Sequence, residues 1–339
     1  MNPLLREESE RLARSWMQQD AGELRDYLVS EVEDPRLNLQ SILTRHVLAG
    51  GLLETPPVDL MMQEYRFSTA MNWLFALTRE TFPPDWSELL HGLTVGADNV
   101  EGTEIPSDVL QTFQILPQSG VPNYIEGFLK EALSQPEISW SERKTLDTFG
   151  SLWRGVFAAQ PENLRTDRLS VLEPACGSAN DYRFMAAYGL AARLDYTGLD
   201  ICEKNISNAR ALFPEVEFKV GNAFELGYGT KAFDWCVIHD LFEHLSPEGI
   251  ETAVGEICNA TRVGIAVGFF NMEEIPEHVV RPVADYHWNR LSMAQMRELF
   301  EKHGFHGQVL NVSSFLQRQT GCGRFHNLHA YTFLLQAVS

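Results

Sequence analysis

The stretch Val171-Leu172-Glu173-Pro174-Ala175-Cys176-Gly177-Ser178-Ala179-Asn180-Asp181-Tyr182 constrains the fold of this chain more than any other. An apolar run ends on an acid, passes through five consecutive side chains no larger than cysteine, and then takes on helical character. Side chains this small let backbone approach a ligand closely at the carboxyl end of a strand. That is where open α/β sheets bind their ligands.

The sequence around this bend has the matching period. After residue 168, short apolar runs at 171–172, 196–199, 216–218, 235–238 and 263–267 alternate with helix candidates at 180–191, 204–212, 246–259 and 292–303. Alternation of this kind predicts a mostly parallel sheet with helices on both faces. Two further strand candidates, 308–314 and 329–337, follow with no helix expected between them and predict an antiparallel pair. Before residue 168, Leu60, Met61, Tyr65, Met71, Leu74, Phe75 and Leu77 share one helical face, and further helices are predicted at 4–29, 36–49, 107–116, 121–134 and 140–158. Gly50-Gly51, Pro56-Pro57 and Pro83-Pro84 punctuate them. The expected division is an all-helical domain or lid over 1–165 and a nucleotide-binding domain over 166–339.

Charge and composition narrow the function. A net charge of −19 in 339 residues, with no basic cluster, argues against a nucleic-acid partner and favours a neutral or cationic substrate. No apolar run of eighteen residues exists, so no membrane partner is expected, and the acidic start lacks the layout of a signal peptide. A cytoplasmic enzyme is the expectation. The five cysteines form no C-x-x-C pair, so neither a metal site nor a disulfide framework is expected. Oligomeric state is not legible in the sequence.

The bend does not match other nucleotide motifs. A dinucleotide G-x-G-x-x-G would read Ala175-x-Gly177-x-x-Asn180, and the phosphate-cradling G-x-x-x-x-G-K-[ST] is absent. The segment resembles motif I of the class I S-adenosylmethionine-dependent methyltransferases, an acid followed by G-x-G-x-G, with Ala175 and Ala179 in place of the outer glycines. Three further segments carry the same resemblance. Tyr196-Thr197-Gly198-Leu199-Asp200 places an acid at the end of the next strand, where it suits the ribose hydroxyls, followed by Ile201 beside the base. Gly221-Asn222-Ala223-Phe224 is similar to the family's "G-D-A" segment, with Asn222 for the usual acid. Phe233-Asp234-Trp235-Cys236-Val237-Ile238-His239-Asp240, running into Glu243-His244-Leu245, is similar to the family's fourth strand and loop.

The resemblance covers roughly 168–338 and implies a Rossmann-like fold: a mostly parallel seven-stranded sheet with an antiparallel last strand. It implies S-adenosyl-L-methionine as cofactor, held by Glu173, Ala175, Cys176, Gly177, Ala179, Asp200, Ile201, Asn222, Ala223, Phe224 and His239. The catalytic candidates are His239 and Asp240, at a strand's carboxyl end, and Tyr182, whose ring is one candidate face for a sulfonium. Tyr124, Phe128, Trp140 and Trp153 are candidates for the same service from the helical half. The implied activity is methyl transfer to an N, O or C atom of a small molecule, of the secondary-metabolism kind. The motifs equally admit a relative that cyclises the cofactor to azetidine-2-carboxylate and methylthioadenosine. A protein methyltransferase and a non-catalytic binding module are the remaining readings.

Overall fold

The computed structural model describes residues 2–19, 39–78, 82, 84–115, 147–159, 167–320 and 327–338. Six helices precede the main sheet among these residues: α1 (Pro3–Gln19), α2 (Leu39–Leu52), α3 (Val58–Thr78), α4 (Trp86–Val95), α5 (Ser107–Ile115) and α6 (Asp147–Ala159). A two-residue strand pair, β1 (Asn99–Val100) with β2 (Thr103–Glu104), interrupts them, so the region is not purely helical. Helix α4 was not expected from apolar spacing, yet its ends are well signalled. Asp85 accepts from the backbone N–H of Ser87 and Glu88, and Gly96 closes the helix at φ +77°.

The main sheet has seven strands: β3 (Leu169–Pro174), β4 (Leu194–Asp200), β5 (Glu217–Val220), β6 (Phe233–His239), β7 (Thr261–Phe269), β12 (Phe305–Asn311) and β13 (Tyr331–Ala337); between β7 and β12 the two-residue strands β8 (Met272–Glu273), β9 (Pro282–Val283), β10 (Tyr286–His287) and β11 (Leu291–Ser292) form two small pairs. Their spatial order is β12-β13-β7-β6-β3-β4-β5, and β13 alone runs antiparallel to its neighbours. The chain winds outward from β3 through β4 to β5, then returns to β6 on the other side of β3. The carboxyl ends of β3 and β6 therefore flank the topological switch point, where open sheets of this kind form a crevice.

Alternate side chains of the strands enter two cores. Leu169, Val171, Tyr196, Trp235 and Val237 face α2, α3, α6, α7 (Asn180–Ala187) and α8 (Glu203–Leu212). Leu172, Cys236, Ile238, Val267 and Phe333 face α9 (Pro247–Ala260), α10 (Met293–Lys302) and two leucines of α1. Burial on both faces is why β6 and β7 read as continuous apolar runs rather than alternating ones.

The expected hairpin at the end of the chain is corrected by a helix, α11 (Val312–Thr320), between β12 and β13. Asn311 ends the strand and accepts from the N–H of Ser314 at 2.8 Å, an N-terminal cap. Val312 and Leu316, four residues apart, then pack on Leu39, Ile42 and Leu43 of α2. Read as a strand, the same apolar residues had no partner; read as a helix, they have one. The helix candidate at 121–134, and the parts of 4–29 and 140–158 beyond the described residues, lie outside the structural description.

Candidate active site

The bend after β3 folds through three left-handed residues: Ala175 at φ 63°, Gly177 at 55° and Ala179 at 65°. For alanine this conformation costs about 1–2 kcal/mol per residue, and such strain gathers where a ligand needs the backbone in one shape. The bend is tied to the neighbouring strand. Cys176 N–H donates to Leu199 O at 2.8 Å, and Gly177 N–H donates to Asp200 Oδ2 at 2.9 Å. Asp200 Oδ1 accepts from Cys202 N–H at 2.8 Å and from Asn205 Nδ2 at 3.3 Å, which locks its carboxylate against the bend. Cys176 meets the crevice through backbone alone, because its thiol lies beneath the turn against Gly198.

Glu173 closes the acidic side of the bend at 3% exposure, with Tyr196 Oη donating to its Oε2. Burial pushes its carboxyl well above the ordinary value, and the charges of Asp181 and Asp200 push it further. Three carboxyl groups thus converge on one bend of tiny residues. A ligand that brings positive charge would relieve the crowding that raises Glu173.

Asp181, in the first turn of α7, reaches across to the end of β6, where its Oδ2 pairs with His239 Nδ1. Burial alone would raise Asp181, but the imidazole's charge and hydrogen bond outweigh it and hold the carboxyl below its ordinary value. For His239, burial alone would lower the value. The Asp181 charge and hydrogen bond, with a contribution from Asp240, carry it above. Asp181 Oδ1 accepts from Ser41 Oγ at 3.1 Å, and Thr44 Oγ1 lies 3.3 Å from His239 Nε2. Both hydroxyls come from α2. No sequence motif pointed to them; Asp181 lay in the polar run after the bend but was not singled out.

The adenine-side segments lie under α1. Asn222 Nδ2 donates to Ser9 Oγ at 2.6 Å, while its Oδ1 accepts from Phe224 N–H at 2.9 Å. Glu8 accepts from Ser246 N–H at 2.6 Å and from the Ser246 hydroxyl, at the cap of α9. Ile201 and Ala223 are partly buried against the core that takes in Leu5 and Leu12 of α1. Phe224 belongs to that core, its ring against Gly249 of α9, so the core alternative for this side chain is the one its packing favours.

Two aromatic candidates are corrected. Tyr182 packs its ring on Tyr196, Phe213 and Phe218, and the charges that act on its hydroxyl are Glu215 and Arg168, at the amino ends of β5 and β3. It therefore points to the opposite end of the sheet from the crevice, while its neighbour Asp181 points in. Trp153 is fully buried and donates to Glu64 Oε2 at 3.0 Å, inside the helical half. Tyr124, Phe128 and Trp140 lie outside the described residues.

Asp240 is exposed and left-handed at φ 53°, with its N–H donating to Gly268 O at 3.1 Å. Glu243 behind it is fully buried. Its Oε1 accepts from the N–H of Phe270 at 2.8 Å and of Asn271 at 3.3 Å, binding this loop to the end of β7. Beyond it, the rings of Trp16, Phe270, Tyr286 and Trp288 surround His244, with centroids 5.4 to 5.8 Å from the imidazole. Burial holds His244 below its ordinary value.

Comparison with known proteins adds to this geometry. Residues 171–264 match the family described as "Methyltransferase domain". No curated protein matches the chain. Among solved structures, one similar chain is the Burkholderia thailandensis 1,6-didemethyltoxoflavin-N1-methyltransferase with bound 1,6-didemethyltoxoflavin and S-adenosylhomocysteine. It is 15% identical with a TM-score of 0.40, over 70% of this chain and 92% of that one. Others are an S-adenosylmethionine-dependent methyltransferase from Mesorhizobium loti (13%, TM-score 0.40, 54% and 96%) and the [4+2]-cyclase SpnF (15%, TM-score 0.39, 65% and 95%). The acid-flanked bend at the switch point and the single antiparallel strand give the sheet-bearing part of the chain a Rossmann-like class I methyltransferase fold, and residues 171–264 carry the methyltransferase domain.

Proposed function

We propose that the protein is a cytoplasmic S-adenosylmethionine-dependent methyltransferase acting on a small molecule, with His239 as general base and Asp181 as its partner. The observation that carries this is the His239–Asp181 pair at the switch point, its carboxylate buried and its imidazole part-buried, beside the acidic bend. The donor set fits the cofactor. Glu173, Asp181 and Asp200 offer carboxylates to a ligand that bears an ammonium, a sulfonium and two ribose hydroxyls, and the bend has no bulky side chain to block it. When bound, the cofactor supplies an electrophilic carbon on a cationic sulfur; the protein's work is alignment, desolvation and proton transfer.

In this reading Glu173 and the backbone of 175–179 hold the amino-acid end, Asp200 the ribose, and Ile201 and Ala223 flank the base. Neutral His239 takes a proton from the acceptor, and Asp181 stabilises the imidazolium. The acceptor lies towards Asp240 and the rings around His244, a flat apolar surface beside a carboxylate. That surface suits a small aromatic or cationic acceptor.

One observation favours a second reading, cyclisation of the cofactor itself. The base pair contacts the bend through Asp181, whose charge acts on Glu173, and so lies at the amino-acid end of the crevice. A base there can also deprotonate the cofactor's own amino group. Incubating the full chain with S-adenosylmethionine alone and weighing the products by mass spectrometry separates the two. Adenosylhomocysteine formed only after an acceptor is added supports methyl transfer; methylthioadenosine without one supports cyclisation. No binding of adenosylhomocysteine by calorimetry rejects both.

A further inference from the structure

Helix α2 meets the His239–Asp181 pair with three buried polar side chains on adjoining positions of one turn, Gln40, Ser41 and Thr44. Gln40 Nε2 donates to Phe269 O at 3.0 Å and to Tyr331 O at 2.9 Å, pinning the helix across the ends of β7 and β13. That anchor sets the distance at which Ser41 meets Asp181 and Thr44 meets His239. A helix that only covered the sheet would do so at lower desolvation cost with apolar residues, since buried hydroxyls must find partners. Beneath it, Gly268 leaves the room the imidazole needs, for a Cβ there would overlap the His239 ring and crowd Gln40.

We propose that Ser41 and Thr44 are positioning residues for the base. Ser41 orients the Asp181 carboxylate so that the neutral ring carries its proton on Nδ1, and Thr44 occupies Nε2 until the substrate displaces it. The inference rests on His239 acting as the base. At 3.3 Å the Thr44 contact is longer than a usual hydrogen bond, which makes it a weak occupant. Only a group that donates a hydrogen can take its place at the Nε2 lone pair, so the attacking atom bears an O–H or N–H.

The balance follows. As the bond from that atom to carbon forms, the C–S bond breaks and its electron pair stays on sulfur. The O–H or N–H proton passes to Nε2, its bonding pair remains on the attacking atom, and the imidazolium returns the proton to water after product leaves. In the second reading the attacking atom is the cofactor's own nitrogen and the carbon it attacks is the γ-carbon, so the C–S bond that breaks is the one whose loss releases methylthioadenosine.

The test uses the full chain labelled with nitrogen-15 in histidine, with no cofactor present, and long-range proton–nitrogen spectra from about pH 5 to 9. His239→Gln assigns the resonances. The wild-type neutral ring is expected as one tautomer, protonated on Nδ1. Thr44→Val should move the Nε2 resonance towards that of an unbonded imine nitrogen, and Thr44→Ser should restore it. Ser41→Ala should lower the titration midpoint of the ring. A wild-type ring protonated on Nε2 overturns the proposal, as does a Thr44→Val spectrum identical to wild type. Failure of the wider reading would instead show as absent adenosylhomocysteine binding and leave these spectra unchanged.

Discussion

Glu243→Gln is expected to stabilise the protein at neutral and alkaline pH and to do little in acid. Burial, with the nearby charge of Asp240 adding to it, pushes the Glu243 carboxyl from 4.5 up to about 8. A carboxyl raised in this way holds its proton in the native state after the unfolded chain has lost it. Its contribution to stability therefore falls as pH rises from the unfolded value towards the folded one. From 4.5 to neutrality is about 2.5 pH steps, each about 1.36 kcal/mol, so near pH 7 the group costs the native state about 3 kcal/mol. Glutamine keeps the oxygen that accepts from Phe270 and Asn271 N–H and cannot ionise; Oε2 has no hydrogen-bond partner among the described residues. Urea unfolding of wild type and variant at a series of pH values reads the effect. The variant's advantage should grow by about 1.4 kcal/mol per pH step between roughly pH 5 and 8. A stability difference that does not change with pH would refute the reasoning, because Glu243 would then titrate alike in both states.

Asp181→Asn removes the main influence holding the His239 value up and leaves burial to lower it. The rising limb of the pH–rate profile should shift to lower pH while the plateau drops, by about 10²-fold or more for a base without its partner. Gly268→Ala forces a methyl group into the imidazole ring. Turnover should fall by about 10²-fold with adenosylhomocysteine affinity measured by calorimetry nearly unchanged, since the displacement is at the base. Ala175→Val puts a β-branched residue at φ 63° beside the ligand, and that calorimetric affinity should weaken at least about tenfold. Glu64→Gln leaves the Arg45 guanidinium uncompensated in a fully buried network with His46 and Trp153, and denaturant unfolding should show a loss of about 3–5 kcal/mol.

The bend after β3 and the acid that ends β4 were legible because their pattern is local. Close backbone approach requires tiny residues in one short run, and the following strand must end on an acid at a fixed remove, as Glu173, Gly177 and Asp200 do. That the sheet is mostly parallel, with helices on both faces, followed from the alternation of segments. Tyr182 misled because period alone does not say which of two adjacent helical residues faces the crevice; that is decided by the aromatic pocket of Tyr196, Phe213 and Phe218. Helix α11 was hidden for a similar reason. Its apolar residues are few, and their partners on α2 lie far away in the sequence. The base's supporting groups had no local signature: Ser41 and Asp181 are 140 residues apart, and Thr44 and His239 are 195 apart.

These long-range contacts also divide the helical region by role. Helix α2 buries Leu39, Ile42, Leu43, Leu48, Ala49 and Leu52, and its Arg45 guanidinium lies over the rings of Phe184 and Tyr188. At about 1.5–3 kcal/mol for each large apolar side chain, that helix is held by far more than the loss of any one contact. Such rigidity is what a base demands, because a hydroxyl must stay within fractions of an ångström of the imidazole to hold it. Helix α1 is fastened differently. Among the described residues Leu5 and Leu12 are its buried aliphatic anchors, Trp16 packs its ring on His244 and Tyr286, and Glu8 and Ser9 tie it to Ser246 and Asn222. Water can replace those polar partners at small net cost, about 1 kcal/mol each. Of the two helices, α2 is therefore the more firmly held, and its hydroxyls are the ones that meet the His239–Asp181 pair, whereas α1 lies against the Asn222 and Ser246 segments.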